Sequence, residues 1–143
     1  MQSQPDSALN ILRGISMENF AAQADSAYYA LLLTQARDKN YVVQTDDSLI
    51  RYAVAYYDKT NDVRMQAKAH YYWGCVYRDM NRQAEAIREF LIAAPLTEKA
   101  KEKRQLGLIY NNIGYIYTIQ DFNEKADSIY RLVEGIAEEL KDT

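Results

Sequence analysis

His70 and Cys75 are the only histidine and the only cysteine in this chain of 143 residues, and they stand five residues apart. A histidine beside a thiol can activate a nucleophile, and the same two side chains can begin a zinc site. Five residues along a helix turn the two groups about 140° apart, which suits neither task. His70 is therefore expected as a half-exposed helix residue beside Trp73. A lone cysteine also rules out an intrachain disulfide and a cysteine cage for a metal. Glu85 with Glu89, and Glu134 with Glu138, are paired at i, i+4, the ordinary spacing of a solvated helix face. Gly14, Gly74, Gly107, Gly114 and Gly135 stand singly, so no glycine-rich loop is present to cradle a phosphate. No catalytic residue, metal or cofactor is expected from this inventory.

Composition points the same way. Hydrophobic residues make up 48% and charged residues 26%, while 5 Gly and 2 Pro are too few for a linker-rich or many-turned all-β chain. The 13 tyrosines offer large rings with polar tips, suited to half-buried helix faces and to recognition surfaces. A net charge of −3, with both signs interspersed, lacks the one-sided basic stripe of a nucleic-acid footprint. The densest basic cluster, Lys99, Lys101, Lys103 and Arg104, is interrupted by Glu98 and Glu102 and is expected to be a solvated helix face. No apolar run reaches the roughly 20 residues of a membrane span, and the first six residues lack the succession of a signal peptide.

The elements that must carry these side chains are helices. Apolar residues recurring every three or four positions predict seven of them in a single domain over 1–143: about 6–15, 21–39, 46–59, 62–80, 83–95, 99–119 and 122–141. Pro5-Asp6-Ser7 precedes the first, and Thr45-Asp46-Asp47 supplies N-cap chemistry to the third. Pro95 is expected to kink the fifth helix, or to end it with a restart through Leu96-Thr97-Glu98.

From Asp62 onward the same residue types return at the same spacings. Trp73-Gly74, Tyr77, Ala86, Phe90 and Ala93 are matched by Ile113-Gly114, Tyr117, Ala126, Tyr130 and Val133, each displaced by 40 residues. Glycine in mid-helix costs about 1 kcal/mol relative to alanine, so two such glycines predict close approach of a partner helix. Ala86 and Ala126 are the expected small contacts, with the rings of Tyr77, Phe90, Tyr117 and Tyr130 filling the seam.

This pattern resembles the tetratricopeptide repeat (TPR), a helical hairpin with a small residue midway along its first helix and an alanine and an aromatic on its second. The resemblance implies an all-α fold, a right-handed superhelix of about three hairpins plus a leading helix. The displacement of 40 exceeds the usual repeat of about 34. Carried back by 40, the pattern puts Thr34 at the glycine position, Asp46 where an alanine belongs and Ala53 at the position of Ala93, so the earliest full hairpin is degenerate.

Five segments, Pro5-Asp6-Ser7-Ala8-Leu9, Ala27-Tyr28-Tyr29-Ala30-Leu31-Leu32, Asp47-Ser48-Leu49-Ile50, Ala53-Val54-Ala55-Tyr56-Tyr57 and Tyr71-Tyr72-Trp73-Gly74, are similar to the TPR regions of exported, often lipid-anchored regulatory proteins of Gram-negative anaerobes. In that group the repeats commonly precede a membrane helix, a coiled coil and a DNA-binding module, none of which is in this sequence. The likeness implies the sensor or scaffold portion of a larger regulator, periplasmic or lipid-anchored, with a cytoplasmic placement as the alternative.

A stacked-hairpin protein of this kind binds a protein or peptide on the surface lined by its first helices. The expected partner-binding positions are Tyr71, Cys75 and Arg78 in one hairpin and Asn111, Tyr115 and Thr118 in the next. The Lys, Asn and Arg set with which some family members grip a C-terminal carboxylate is not matched, since Tyr71, Cys75 and Asn111 hold those positions. Two other readings stand beside the scaffold. One is self-assembly through the last helix, whose Ile129, Leu132, Val133, Ile136 and Leu140 have no later helix to cover them. The other is a sensor for a small ligand or peptide held in the groove.

Overall fold

The computed structural model describes residues 8–10 and 23–141, and all regular structure in them is helical. The first expected helix, 6–15, lies outside the described residues except for 8–10, which are helical and bury Leu9 against Tyr29, Leu33 and Ala36. Six full helices follow: α1 (Gln23–Lys39), α2 (Ser48–Tyr57), α3 (Val63–Asp79), α4 (Gln83–Lys99), α5 (Lys103–Ile119) and α6 (Asn123–Lys141). Each packs on the next, most extensively α3 on α4 and α5 on α6, and α1 also reaches α3.

One turn geometry recurs through the chain. Tyr41, Asn81, Lys101 and Asp121 all have φ between 58° and 61°, in the left-handed region. Each stands two residues past the end of α1, α3, α4 or α5. At each, the next residue donates its N–H back five positions: Val42 to Arg37, Arg82 to Tyr77, Glu102 to Thr97 and Phe122 to Tyr117. This is the Schellman closure, which satisfies the otherwise orphaned last carbonyls. Because none of the four is glycine, the stop signals are faint in the sequence.

These turns also explain the displacement of 40. Helices α3, α4 and α5 have 17 residues each, and each is followed by a three-residue turn, so a helix and its turn span 20. Helix α4 continues through Pro95 to Lys99, which overturns the expected end at that proline. Pro95 and Leu91, the residue four before it, are both exposed, so the carbonyl that loses its donor faces water. Correspondingly α5 begins at Lys103, not near 99. The basic cluster Lys99 to Arg104 straddles a turn and is not a single helix face.

The expectation of close approach at the glycines is met, but by different atoms. A β-carbon built on Gly74 would stand 2.5 Å from Phe90 Cε1, and one on Gly114 would stand 2.7 Å from Tyr130 Cε1. The atoms nearest each glycine are thus those of the rings, while Ala86 and Ala126 are buried in the partner helices. In the first pair, the corresponding register positions hold Thr34 and Ile50, both fully buried. A larger residue at the glycine position is accompanied there by a smaller one at the ring position. Thr34 hides its hydroxyl by donating to the Ala30 carbonyl at 2.8 Å, and Thr97 does the same to Ala93.

The main core is continuous through the pairs, from Ala27, Ala30 and Leu31 through Ile50 and Val54, Val76 and Phe90, to Ile109, Ile113 and Ile116. On α6 only Ala126 and Ile136 are buried, with Ile129 and Leu140 packed against the core and Leu132 left exposed.

Candidate functional site

The six surface positions expected to meet a partner divide into two groups. Tyr71 and Cys75 are core residues, with Cys75 fully buried, and neither presents a side chain to a partner. The reason is the approach of α5. Asn112 donates to the Tyr71 hydroxyl at 3.4 Å and accepts from Arg78 at 2.7 Å, closing the face of α3 that would otherwise be open. Burial pushes the Tyr71 phenol and the Cys75 thiol well above their usual pKa ranges, so Cys75 is an inert thiol.

Arg78 is a partly buried tie between helices. Its guanidinium reaches Asp38 at the end of α1 (2.8 Å), Asp79 (3.2 Å) and Asn112 on α5, linking α1, α3 and α5 through one planar fork. Asp79 in turn accepts from the Gln44 backbone N–H at 3.0 Å. On α5 the corresponding positions Asn111, Tyr115 and Thr118 are exposed, and Thr118 donates to the Gly114 carbonyl at 2.9 Å.

His70, expected as a half-exposed residue, is buried between two carboxylates. Nδ1 lies 2.7 Å from Glu89 Oε1 and Nε2 lies 2.9 Å from Asp58 Oδ1. A neutral imidazole carries one donor and one acceptor, whereas two carboxylates require two donors, so the geometry calls for the imidazolium. Burial opposes that charge, but the hydrogen bonds to Glu89 and Asp58 outweigh it and hold the pKa above the usual 6.5. Glu89 is itself buried, with Arg88 Nε 3.7 Å from its other oxygen. This relay joins the turn after α2 to α3 and α4. Beside it Trp73 donates to Asp47 at 3.1 Å and stacks on Tyr77 with ring centroids 5.4 Å apart.

A groove lies elsewhere, where α1, α3, the end of α4 and the start of α5 meet. It has a volume of about 250 Å³ and is walled by Gln35 and Lys39 of α1, Arg64, Lys68 and Tyr72 of α3, and Glu102 and Gln105 at the start of α5. Glu102 is taken by Arg64 at 2.7 Å. Lys68 makes no ion pair or hydrogen bond with the described residues, and burial, followed by the charges of Lys39 and Arg64, lowers its pKa from 10.5. Gln35 Oε1 and Gln105 Nε2 are buried atoms without a partner. A buried polar atom left without a partner costs about 1–3 kcal/mol, and these two belong to different helices lining the same groove. Sequence reasoning missed this site because its residues come from four helices, and only the charge of Lys39, Arg64 and Lys68 was legible, as scattered surface lysines and arginines.

Among the described residues no helix is long and apolar enough to cross a membrane, and no group of three His, Cys, Asp or Glu side chains is placed to hold a metal ion. No family model, curated protein or solved structure matches this chain.

Proposed function

We propose that this chain is a TPR-like α-solenoid of helical hairpins and works as a non-catalytic scaffold or sensor module that holds a protein or peptide partner. The reading is carried by one observation: the groove draws on α1, α3 and α5, one helix from each of three successive pairs, with Thr97 of α4 and the turn after it closing one side. The glycine–ring seating repeated 40 residues apart supports the same architecture. On this reading Asn111, Tyr115 and Thr118 continue the partner surface on α5, while Tyr71, Cys75 and Arg78 serve to stack the hairpins. Selection of a random peptide library on the immobilised full chain tests it. Enriched peptides should shift amide resonances of α1, α3 and α5 and compete with one another. Failure to enrich any peptide, or shifts confined to α2, α4 and α6, overturns the proposal.

A second reading, self-assembly, is favoured by the end of the stack. Leu108, Tyr115 and Ile119 on α5, Phe122 in the next turn and Leu132 on α6 are all exposed. Light scattering on the full chain should show mass rising with concentration, and Tyr115→Ala with Leu132→Ser should abolish the rise. A constant monomeric mass removes this reading.

A further inference from the structure

From the groove between α1, α3 and α5 we infer that the bound partner is an acidic peptide segment, whose Asp or Glu carboxylate pairs with Lys68 while its backbone meets Gln35 and Gln105. The inference rests on the scaffold reading and adds the class of partner to it.

Three observations carry it. First, the charge at the groove is unbalanced. Lys39, Arg64 and Lys68 supply three cations against Glu102, which Arg64 already engages at 2.7 Å. Lys68 is left partly buried beside two like charges, an arrangement that is unfavourable until an anion enters. Second, the two orphaned amide atoms are of opposite kind: Gln35 Oε1 needs a donor and Gln105 Nε2 needs an acceptor. A peptide backbone supplies both kinds of group, N–H donors and C=O acceptors. A bare carboxylate offers acceptors only and leaves the Gln35 oxygen unsatisfied. Third, the groove of about 250 Å³ has room for one acidic side chain with its flanking peptide groups, and Tyr72 and Thr97 complete its wall. Lys68 is placed to select a compact carboxylate, whereas Arg64 is held by Glu102 and positions the rim.

Two degenerate pools of acetylated, amidated hexapeptides, one with Glu fixed at the third position and one with Gln, separate the possibilities. Blocked ends remove any contribution from a terminal carboxylate. Binding to the full chain is followed by amide chemical shifts of α1, α3 and α5. The Glu pool should bind at least about tenfold more tightly than the Gln pool at low salt, as expected for one partly desolvated charge pair. The preference should vanish in Lys68→Gln and persist in Lys68→Arg. Gln105→Leu should weaken both pools alike. Equal binding of the two pools overturns the inference and leaves the scaffold reading standing. A preference that survives Lys68→Gln in a variant with unchanged circular dichroism also overturns it. So does tighter binding of inorganic phosphate than of the Glu pool, which would make the groove a site for tetrahedral anions. If neither pool shifts a groove resonance while peptides selected from the random library still bind, the acidic-peptide inference falls alone. If neither measurement shows any peptide, both readings fall.

Discussion

Gly74 lies beneath the ring of Phe90 so closely that a β-carbon on Gly74 would come within 2.9 Å of three ring atoms, Cε1, Cδ1 and Cζ. Phe90 is fully buried and has nowhere to go. Gly74→Ala should therefore destabilise the protein by about 1–3 kcal/mol through overpacking, even after the gain in helix propensity. Gly114→Ala should cost less, because Tyr130 is only partly buried and can lean outward. Gly135→Ala, with nothing within 4 Å, should stabilise by up to about 1 kcal/mol. Urea unfolding of the three variants checks the order, and equal effects at Gly74 and Gly135 would contradict the packing account.

His70 ties Asp58 to Glu89 only while it carries two protons. Its folded-state pKa lies above 6.5, so protonation favours the folded form. That contribution is complete below pH 6.5 and is lost as pH rises through the folded value. Replacing His70 by Ala at about pH 6 should cost about 3 kcal/mol or more, since Glu89 is left buried without its partner. The gap between wild type and His70→Gln should narrow from about pH 6 to about pH 9. A gap that widens with pH would show that His70 is neutral in the folded chain.

Lys101 pays for a left-handed turn with a side chain that is exposed. Lys101→Gly should raise stability by roughly 0.5–1 kcal/mol, the relief of αL strain less the added freedom of the unfolded chain. Asn81→Gly should gain less, because asparagine tolerates this conformation. Thermal unfolding at matched pH reads the difference.

Lys68 should be a residue whose removal stabilises. Its folded pKa lies below 10.5, so the charged form opposes folding. The penalty is full below the folded pKa and disappears once pH exceeds 10.5. Lys68→Gln should gain a few tenths to about 1 kcal/mol near neutral pH, with the gain shrinking as pH approaches the lysine range. A loss of stability in Lys68→Gln would mean that its aliphatic stem, not its charge, is what the groove keeps.

Helix periods, the residues Gly74, Phe90, Gly114 and Tyr130, and the displacement of 40 were all legible along the chain, because each depends on spacing within one helix or between neighbours. Helix ends were less so. Tyr41, Asn81, Lys101 and Asp121 carry no glycine signal, and Pro95 gave a false stop because its neighbours on that face are open to water. Site residues were the least legible. Tyr71, Cys75 and Arg78 were assigned to a surface on the geometry of α3 alone, but Cys75 is fully buried and Asn112 of α5 engages Tyr71 and Arg78.

By itself, then, the sequence determined that the chain is helical, that Gly74 and Gly114 mark close approaches, and that it holds a single histidine and a single cysteine, since 3.6-residue periodicity and residue type are local properties. Tertiary structure decided which faces are covered, that His70 sits between Asp58 and Glu89, and that Lys68 shares a groove with Gln35 and Gln105. Burial and the sum of nearby charges depend on helices distant in the chain, and no spacing within one helix encodes how closely another will approach.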